Sequence, residues 1–440
     1  MKVNTLKIPG LLLFVFVTWV VTFPPLHSQS SHKSIEKLWE HLDVASKYHT
    51  GLSIYDPENN KPVFTYRDDN FFTPGSNVKI LTMYAALSYL GETIPAAYYH
   101  IRGDTIVVWG GGDPGTFYPD IKKESSFVDF LRATDKHIVF SDHHFRTDRF
   151  GSGWAWDDHR FSYQPERNAF PIYGNRLWIE RYQDSIVITP SYFDLVFKAI
   201  KGSVPNATRN EWGTEYVFVY NPRLARSSAT IPLSLYENDV RFIWQEATGK
   251  QITFKDYPIV KNASFIAESN RDTLLHRMMQ ESDNFIGEQL LLASSLAAID
   301  SMDEATIIKK TLAGPLASIT DSILWIDGSG LSRYNLMTPR AATIVLNKIL
   351  NEKGLDYVKA IFPAGGKSGT LKWSFGGEKD KPYIFAKTGS MKSTYCLSGY
   401  LLTKSGKVLI FSWMNNHFRS QPSEVREAME KVFVYLRDHY

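Results

Sequence analysis

The chain has 440 residues, of which 43% are hydrophobic and 22% charged, as in a soluble globular protein with more than one packed unit. The formal charge is +3, and removal of residues 1–28 would leave +1, so nothing in the composition indicates a nucleic-acid partner. The single cysteine, Cys396, excludes an internal disulfide.

Residues 1–28 have the pattern of a secretory signal peptide. Two lysines precede an apolar run over 11–23, which is followed by two prolines and the small residue Ser28. A retained membrane anchor is the alternative, but the run falls short of the ~20 residues that span a bilayer. We therefore expect a cleaved leader, a periplasmic mature protein and no stable membrane span after processing.

The start of the mature chain predicts a helix, a hairpin and a second helix. Apolar residues have helical spacing over 34–47. Two strand-like runs, 50–55 and 62–66, flank turn-forming residues at 56–60, which favours a β-hairpin. A largely apolar helix is then predicted over 75–90.

The rest of the chain changes character twice. Short strand-like pieces broken by Gly, Pro and Asp make residues 97–268 a β-rich middle, and the pattern turns helical over 271–299. A final amphipathic helix is predicted over 423–438. Three strands are predicted before it, over 383–388, 394–402 and 407–414. Similar elements at both ends predict one α/β unit that is split by a large insertion.

The first motif with chemical meaning is Ser-Asn-Val-Lys at 76–79. It opens an apolar helix, so Lys79 lies one turn from Ser76 on the same face. A desolvated lysine can stay neutral and accept the proton of a nucleophilic hydroxyl. Two other Ser-x-x-Lys runs, 30–33 and 34–37, lie near the expected cleavage point. The plain alternative is an N-cap serine beside a solvated lysine.

The second motif is Ser-Asp-Asn at 282–284, which interrupts two helical stretches. It predicts a loop that presents Ser282 and Asn284 to a cleft, where the hydroxyl relays a proton to the leaving amine and the amide holds substrate. The alternative is a helix-helix turn in which Ser or Asp is the N-cap.

The third motif is Lys-Thr-Gly at 387–389, which follows an apolar strand. Gly389 leaves room for a substrate backbone along that strand, and the alternative is that Lys387 is a solubilising edge charge. Two Lys-Ser-Gly runs, at 367–369 and 404–406, have less suitable surroundings. In this order the three motifs match the serine acyl-transfer signature of β-lactamases and penicillin-binding proteins.

No competing catalytic signature is present. There is no Gly-x-Ser-x-Gly and no His-Glu-x-x-His, and the 12 histidines show no ligand spacing. We expect neither a metal nor a cofactor.

The sequence resembles the class C low-molecular-mass penicillin-binding proteins, the D-alanyl-D-alanine carboxypeptidase/endopeptidase family. The run at 166–170 and Gly115 depart from the pattern of that family. The segments that extend the resemblance are Gly-Gly-Gly-Asp-Pro at 110–114, Gly-Trp-Ala-Trp-Asp-Asp at 153–158, Asp-Gly-Ser-Gly-Leu-Ser at 327–332, Ser-Gly-Thr-Leu at 368–371 and Leu-Ser-Gly-Tyr at 397–400.

The resemblance implies an α/β (α+β) fold: a serine β-lactamase/transpeptidase-like catalytic domain with nested β-rich insert domains. The implied division is a signal peptide over 1–28, a catalytic domain over 29–96 and 269–440, insert domain II over 97–170 and 229–268, and insert domain III over 171–228.

The resemblance also implies a role for each site residue. Ser76 is the acylated nucleophile and Lys79 its base, while Ser282 and Asn284 assist proton transfer and substrate binding. Lys387 and Thr388 bind the terminal carboxylate, beside Gly389, and the backbone amides of Ser76 and Ser390 form the oxyanion hole.

The function that follows is a serine D-Ala-D-Ala carboxypeptidase/endopeptidase that acts on peptidoglycan stem peptides and is covalently inhibited by β-lactam antibiotics. A serine β-lactamase and a non-catalytic cell-wall-binding module of the same fold are the alternatives. In a class A β-lactamase a glutamate activates the deacylating water, but the surroundings of Glu166 match an insert domain and argue against that role.

Overall fold

A computed structural model describes residues 35–121, 124–378, 381–419 and 421–440, so the predicted signal peptide over 1–28 lies outside the described residues. Residues 35–40 are helical. The other α-helices are α1 (Asp43–Lys47), α2 (Lys79–Tyr89), α3 (Ser126–Ala133), α4 (Glu237–Thr248), α5 (Arg271–Gln280), α6 (Asn284–Ile299), α7 (Glu304–Ala313), α8 (Pro339–Lys353), α9 (Leu355–Ile361) and α10 (Pro422–His439). The strands are β1 (His49–Asp56), β2 (Lys61–Tyr66), β3 (Thr93–Arg102), β4 (Thr105–Gly110), β5 (His137–Ser141), β6 (Arg176–Tyr182), β7 (Ser185–Thr189), β8 (Phe197–Lys201), β9 (Asn206–Arg209), β10 (Tyr216–Tyr220), β11 (Arg226–Pro232), β12 (Ile252–Phe254), β13 (Ser264–Asn270), β14 (Ile384–Met391), β15 (Thr394–Leu402) and β16 (Val408–Asn416).

One five-stranded sheet joins the two ends of the chain. Its order is β14-β15-β16-β1-β2, and all neighbouring strands are antiparallel. The hairpin β1–β2 and the three late strands were predicted from the sequence, and their pairing confirms a single mixed α/β unit built from both ends. Because β1 lies beside β16, the segment after the hairpin is held against the last strands of the chain.

Both faces of this sheet are covered, because side chains of a strand alternate between its faces. On β15, Leu397 and Leu401 pack in a core with helix α10, as predicted for the last helix. Cys396 and Tyr400 point the other way, into a core formed with α2 and α5 to α9. The sheet therefore buries apolar side chains on both sides, which fixes β14 beside α2.

The middle of the chain forms a separate core around three further sheets, ordered β12-β5-β4-β3-β13, β11-β6-β7 and β8-β10-β9. The first of these is mixed, since β5 is parallel to both β4 and β12. The prediction of a β-rich middle is right for the strands but overlooks α3 and α4, whose apolar faces lie in this core. None of the helices in the described part of the chain carries an apolar stretch of the length that a bilayer requires.

Two details of the sequence prediction are wrong. The stretch 34–47 is not one helix, because the chain turns at residues 41–42 before α1 begins. Strand β14 continues to Met391, so Lys387 lies within the strand and not at its end. The longer strand matters for the site because it places residues 387–390 on one continuous edge.

Candidate active site

A cleft of about 600 Å³ opens above the junction of helix α2, the loop between α5 and α6, and strand β14. Ser76, Ser282, Asn284 and Ser390 line it. Lys79 and Lys387 lie beneath these residues and are fully buried, while Thr388 and Gly389 are buried beside them. The structure thus brings together all the side chains that the three motifs predicted.

Ser76 lies in a tight turn at the head of α2. Residues Gly75–Val78 form a 3₁₀ turn that continues into the helix at Lys79. The Lys79 Nζ lies 3.0 Å from the Ser76 Oγ, 2.6 Å from the Asn284 Oδ1 and 2.6 Å from the Ser329 carbonyl oxygen. The alternative of a solvated lysine is therefore wrong.

Burial makes the neutral form of Lys79 more accessible than that of an exposed lysine. Burial lowers the pKa of the amine to about 8, although the nearby carboxylates of Asp327, Glu288 and Asp283 act in the opposite direction. Asn284 and the Ser329 carbonyl can only accept hydrogen bonds at the oxygens that meet Nζ. A neutral amine has two N–H bonds for these oxygens and one lone pair, which is left to face the Ser76 hydroxyl.

Ser282 has a strained backbone conformation. Its φ of 56° lies in the left-handed region, which is uncommon for a residue with a Cβ and often marks a functional position. The conformation turns the chain sharply between α5 and α6, so that Ser282 faces the cleft.

Asp283 anchors this turn and has a structural role. Its carboxylate caps α6 by accepting a hydrogen bond from the Ile286 N–H, and it also accepts one from the Tyr118 hydroxyl. Burial would raise the pKa of Asp283, but the charge of Arg176 and these hydrogen bonds hold it below its ordinary value. The N-cap interpretation is thus confirmed for Asp283, and its capping leaves Ser282 and Asn284 directed to the cleft.

Asn284 is held from two sides. Its Oδ1 accepts the hydrogen bond from Lys79, and its Nδ2 donates to the Tyr163 carbonyl at 2.8 Å. One N–H of the amide is therefore engaged by the protein, so the contact with Lys79 is the best-defined role of this side chain.

Lys387 projects from edge strand β14 into the protein. Its Nζ donates hydrogen bonds to the Ser282 Oγ and to the Thr388 carbonyl, both at 2.8 Å. Burial and the charge of Lys79 lower the pKa of Lys387 well below its ordinary value. The alternative of a solubilising edge charge is wrong, since the side chain has no exposure to solvent.

Gly389 has a packing role. A Cβ at this position would lie 2.1 Å from the Pro74 carbonyl oxygen and 2.8 Å from the Asn77 Nδ2, so only glycine lets β14 approach the turn that carries Ser76. Thr388 donates a hydrogen bond from its Oγ1 to the Thr370 Oγ1 at 2.9 Å. These contacts fix the distance between the nucleophile turn and the strand.

Ser329 is a site residue to which the sequence analysis gave no role. Gly328 and Gly330 flank it, and a Cβ on either would lie within 2.4 Å of a backbone oxygen, of Gly287 and Gly75 respectively. The signal was the Gly-Ser-Gly run, because paired glycines often mark close backbone approach. The approach brings the Ser329 carbonyl to Lys79.

A buried ion-pair network supports Ser329 from below. The Glu288 Oε1 accepts a hydrogen bond from the Ser329 N–H at 2.8 Å, and the Glu288 Oε2 pairs with Arg167 at 3.0 Å. Arg167 also pairs with Glu304. Burial and the charge of Asp327 raise the pKa of Glu288 to about 7, against the effect of Arg167.

Glu166 is buried and fully engaged. Its carboxylate pairs with Arg149 at 2.7 Å and with Arg209 at 2.8 Å, and it accepts a hydrogen bond from the Leu235 N–H. It does not line the cleft. This agrees with the inference that Glu166 is not a deacylating base.

A mixed α/β fold with a buried lysine beneath a serine at a helix N-terminus defines the class of serine β-lactamases and penicillin-binding proteins. A sequence profile of the D-Ala-D-Ala carboxypeptidase 3 (S13) family matches residues 32–186 and 260–435, so the chain belongs to this family. It is thus a serine peptidase of the penicillin-binding type.

Individual relatives agree with this placement. The crystal structure of penicillin-binding protein 4 (dacB) from Haemophilus influenzae superposes with a TM-score of 0.72 at 19% identity, over 92% of this chain and 99% of that one. A D-alanyl-D-alanine carboxypeptidase from Actinomadura sp. is 22% identical over 86% of this chain and 80% of the relative. The D-alanyl-D-alanine carboxypeptidase DacB of H. influenzae is 28% identical over 173 residues, which span 36% of its length.

Proposed function

We propose that the protein hydrolyses D-alanyl-D-alanine bonds in peptidoglycan stem peptides through an acyl-enzyme on Ser76. The observation that carries the proposal is the environment of the Lys79 Nζ, which is fully buried and reaches two obligate acceptors and the Ser76 Oγ. Family membership supports the substrate class, since the family and its relatives bear the name of this reaction.

In the first step, neutral Lys79 accepts the proton of the Ser76 hydroxyl as the Oγ attacks the carbonyl carbon of the penultimate D-Ala. The developing negative charge lies on the carbonyl oxygen, and we assign its stabilisation to the backbone amides of Ser76 and Ser390. Both residues line the cleft, which supports this assignment.

The leaving group is D-Ala, or a longer amine when the bond is part of a crosslink. We assign its terminal carboxylate to Lys387 and Thr388 on the edge strand, beside Gly389. Ser282 accepts a hydrogen bond from Lys387, so its hydroxyl is oriented to pass its proton to the departing nitrogen while it takes up the proton that Lys79 removed from Ser76, which returns Lys79 to its neutral form. Asn284 orients Lys79 and contributes to substrate binding. Water then releases the acyl group from Ser76.

The nucleophile is tested with a fluorescent penicillin. The Ser76→Ala variant loses covalent labelling, whereas Ser46→Ala, a change at an exposed serine on α1, leaves labelling as in the parent. Labelling of Ser76→Ala at unchanged stoichiometry would exclude the assignment. Release of free D-Ala from purified muropeptides, followed by mass spectrometry, tests the substrate class, and binding of stem peptides without release would favour a non-catalytic module.

The lifetime of the penicilloyl adduct separates a peptidase from a β-lactamase. Fast deacylation needs a base that activates water, and the buried, fully paired Glu166 does not offer one. We therefore expect a long-lived adduct, and a rapid return of free enzyme would favour the β-lactamase alternative.

We further propose that stem peptides and β-lactams are the partners of this cleft and that the protein acts in the periplasm. The predicted leader over 1–28 supports this location. A periplasmic location also agrees with the proposed action on the cell wall. The division into a catalytic domain and nested inserts II and III, with the boundaries given above, is part of the same proposal.

A further inference from the structure

An aromatic pocket of about 410 Å³ lies next to the cleft. Ala155 lines both cavities, so the two are adjacent. The Trp154 Nε1 donates to the Asp327 carboxylate at 2.9 Å, which ties the pocket wall to the segment that carries Ser329. The aromatic side chains that line it are Phe150, Trp154, Trp156, Trp212 and Tyr236.

Two of these rings are unusually exposed. Trp156 retains 72% and Trp212 retains 63% of its accessible surface. Exposed indole rings beside a cavity often mark a binding site, since they offer a flat apolar face together with an N–H donor. Tyr236 is held in place because the Arg149 guanidinium lies 4.1 Å above its ring.

Polar groups complete the pocket. Gln164 is only 2% exposed, and its Oε1 has no hydrogen-bond partner among the described residues. Such a buried orphan acceptor is costly unless a ligand or water supplies a donor. His159 and Glu211 also line the pocket, and none of its lining residues is Leu, Ile, Val or Met.

We propose that the aromatic pocket binds a pyranose ring of the glycan strand to which the stem peptide is attached. A pyranose presents C–H groups on its faces and hydroxyl or acetamido groups around its edge. The exposed indoles match the faces, and the polar side chains of His159, Gln164 and Glu211 in the pocket lining match the edge. The inference rests on the proposed function, because it takes the peptide in the cleft to remain joined to its sugar.

The composition of the pocket favours a sugar over a second peptide segment. An apolar peptide side chain is usually received by a wall that includes aliphatic groups, and this wall is entirely aromatic, polar or small. Trp212 and Tyr236 also belong to residues 187–259, which the family profile does not match. The outer wall of the pocket therefore lies outside the part of the chain that the family profile matches.

Binding is tested on the Ser76→Ala protein by isothermal titration with peptide-free glycan strands of alternating N-acetylglucosamine and N-acetylmuramic acid. We expect saturable glycan binding by the Ser76→Ala protein. In the Ser76→Ala/Trp212→Ala protein we expect the affinity to be about tenfold lower, because one stacking surface is lost. The matched control is Trp373→Ala, which removes an indole that is 88% exposed and lies outside the pocket. Gln164→Met, which removes the amide oxygen together with the Nε2 that donates to the Ala155 carbonyl, also weakens binding.

The absence of saturable glycan binding would overturn the inference. Equal glycan affinities of the Trp212→Ala and Trp373→Ala variants would also overturn it. Binding of a sugar-free stem peptide that weakens in Trp212→Ala, with no glycan binding, would make the pocket a peptide subsite. Thermal melting of each variant verifies that it is folded.

Kinetics with intact Ser76 give a second readout. We expect kcat/KM to be about tenfold higher for a disaccharide-pentapeptide than for the free pentapeptide, and this preference to disappear in Trp212→Ala while hydrolysis of the free pentapeptide is unchanged. Equal values in the parent would overturn the inference. Glycan binding by a protein that hydrolyses neither substrate would refute the proposed function and leave the pocket assignment standing.

Discussion

Lys79 meets three hydrogen-bonding groups but has only two N–H bonds when it is neutral. The Asn284 and Ser329 oxygens use those two bonds, so the lone pair is left for the Ser76 hydroxyl. The charged amine can donate to all three groups, whereas loss of one proton turns the contact with Ser76 into one in which Lys79 accepts. The rate of the reaction therefore depends on the protonation state of the Lys79 Nζ.

The first prediction concerns pH. The free amine is the base, and its fraction rises with pH through a pKa of about 8. The second-order rate of acylation by a penicillin therefore increases about tenfold per unit below that pH and levels off above it. Stopped-flow measurement between pH 5.5 and 9.5 checks this. A rate that is flat from pH 6 to 9 would mean that Lys79 is not the base.

The second prediction exploits Asn284. In Asn284→Asp a carboxylate replaces the amide oxygen 2.6 Å from the Lys79 Nζ and favours its charged form. We expect the rate of acylation at pH 7 to fall at least about tenfold. The pH range over which this rate rises should also move to higher pH. Asn238→Asp, at an exposed position of α4, is the control and keeps the parent profile. If the rate of acylation of Asn284→Asp rose over the same pH range as that of the parent, the contact between Asn284 and Lys79 would not set the pKa of Lys79.

The sequence indicated the side chains that meet at the cleft but not what holds them. The structure brings the motif residues Ser76, Lys79, Ser282 and Lys387 together. Of their contacts only that of Ser76 with Lys79 is local, because a lysine one turn after a serine lies near it. The role of Ser329 was missed, since the two flanking glycines indicate a close backbone approach but not which carbonyl meets Lys79. Gly389 was assigned to the substrate, whereas its close neighbours are Pro74 and Asn77, which lie more than 300 residues away in the chain.

At the scale of secondary structure, local patterns succeeded where long apolar runs lie between turn residues, as in helix α6 and strand β15, which are buried on all sides. The hairpin β1–β2, helix α6 and strands β14 to β16 follow from apolar periodicity and turn residues. Helix α8 escaped prediction although Thr338 caps it and Gly354 ends it, both of which are sequence signals. Helix α4 was hidden because the many aromatic residues around it favour strands.

Pairings between distant segments had no local signal at all. The parallel contacts of β5 with β4 and β12 join strands that are separated by more than 100 residues in the second case. Such pairings depend on the cost of closing long loops and on the packing of whole faces, which short windows of sequence do not record.

The third prediction tests the link between the middle of the chain and helix α6. Arg167→Met leaves Glu288 buried without its cation, and removing one partner of a buried pair typically costs about 3–5 kcal/mol. We expect a lower midpoint in urea unfolding. Adding Glu288→Gln restores part of the loss, because the amide oxygen still accepts the Ser329 N–H without a buried charge. Equal midpoints for the single and double variants would contradict this account.

At the scale of the whole molecule, the catalytic centre depends on chain ends that meet in one sheet. Strand β1 pairs with β16, and the turn that carries Ser76 packs against Gly389 on β14. The early nucleophile and the late lysine are therefore positioned by the same sheet. Any opening of that sheet separates Ser76 from Lys387, so the stability of the sheet and the integrity of the site are coupled.

The last prediction uses Cys396 to measure this coupling. The thiol lies fully buried on β15, between Gly389 and Met414 of the neighbouring strands, and burial raises its pKa to about 12. A thiol reagent can reach it only when the sheet opens, so labelling of the folded protein is at least about a thousandfold slower than in guanidinium. Acylation of Ser76 by a penicillin slows it further, because the acyl group gains its contacts only in the closed state. Labelling within about tenfold of the unfolded rate would mean that β15 opens independently, and the coupling between sheet and site would then be absent.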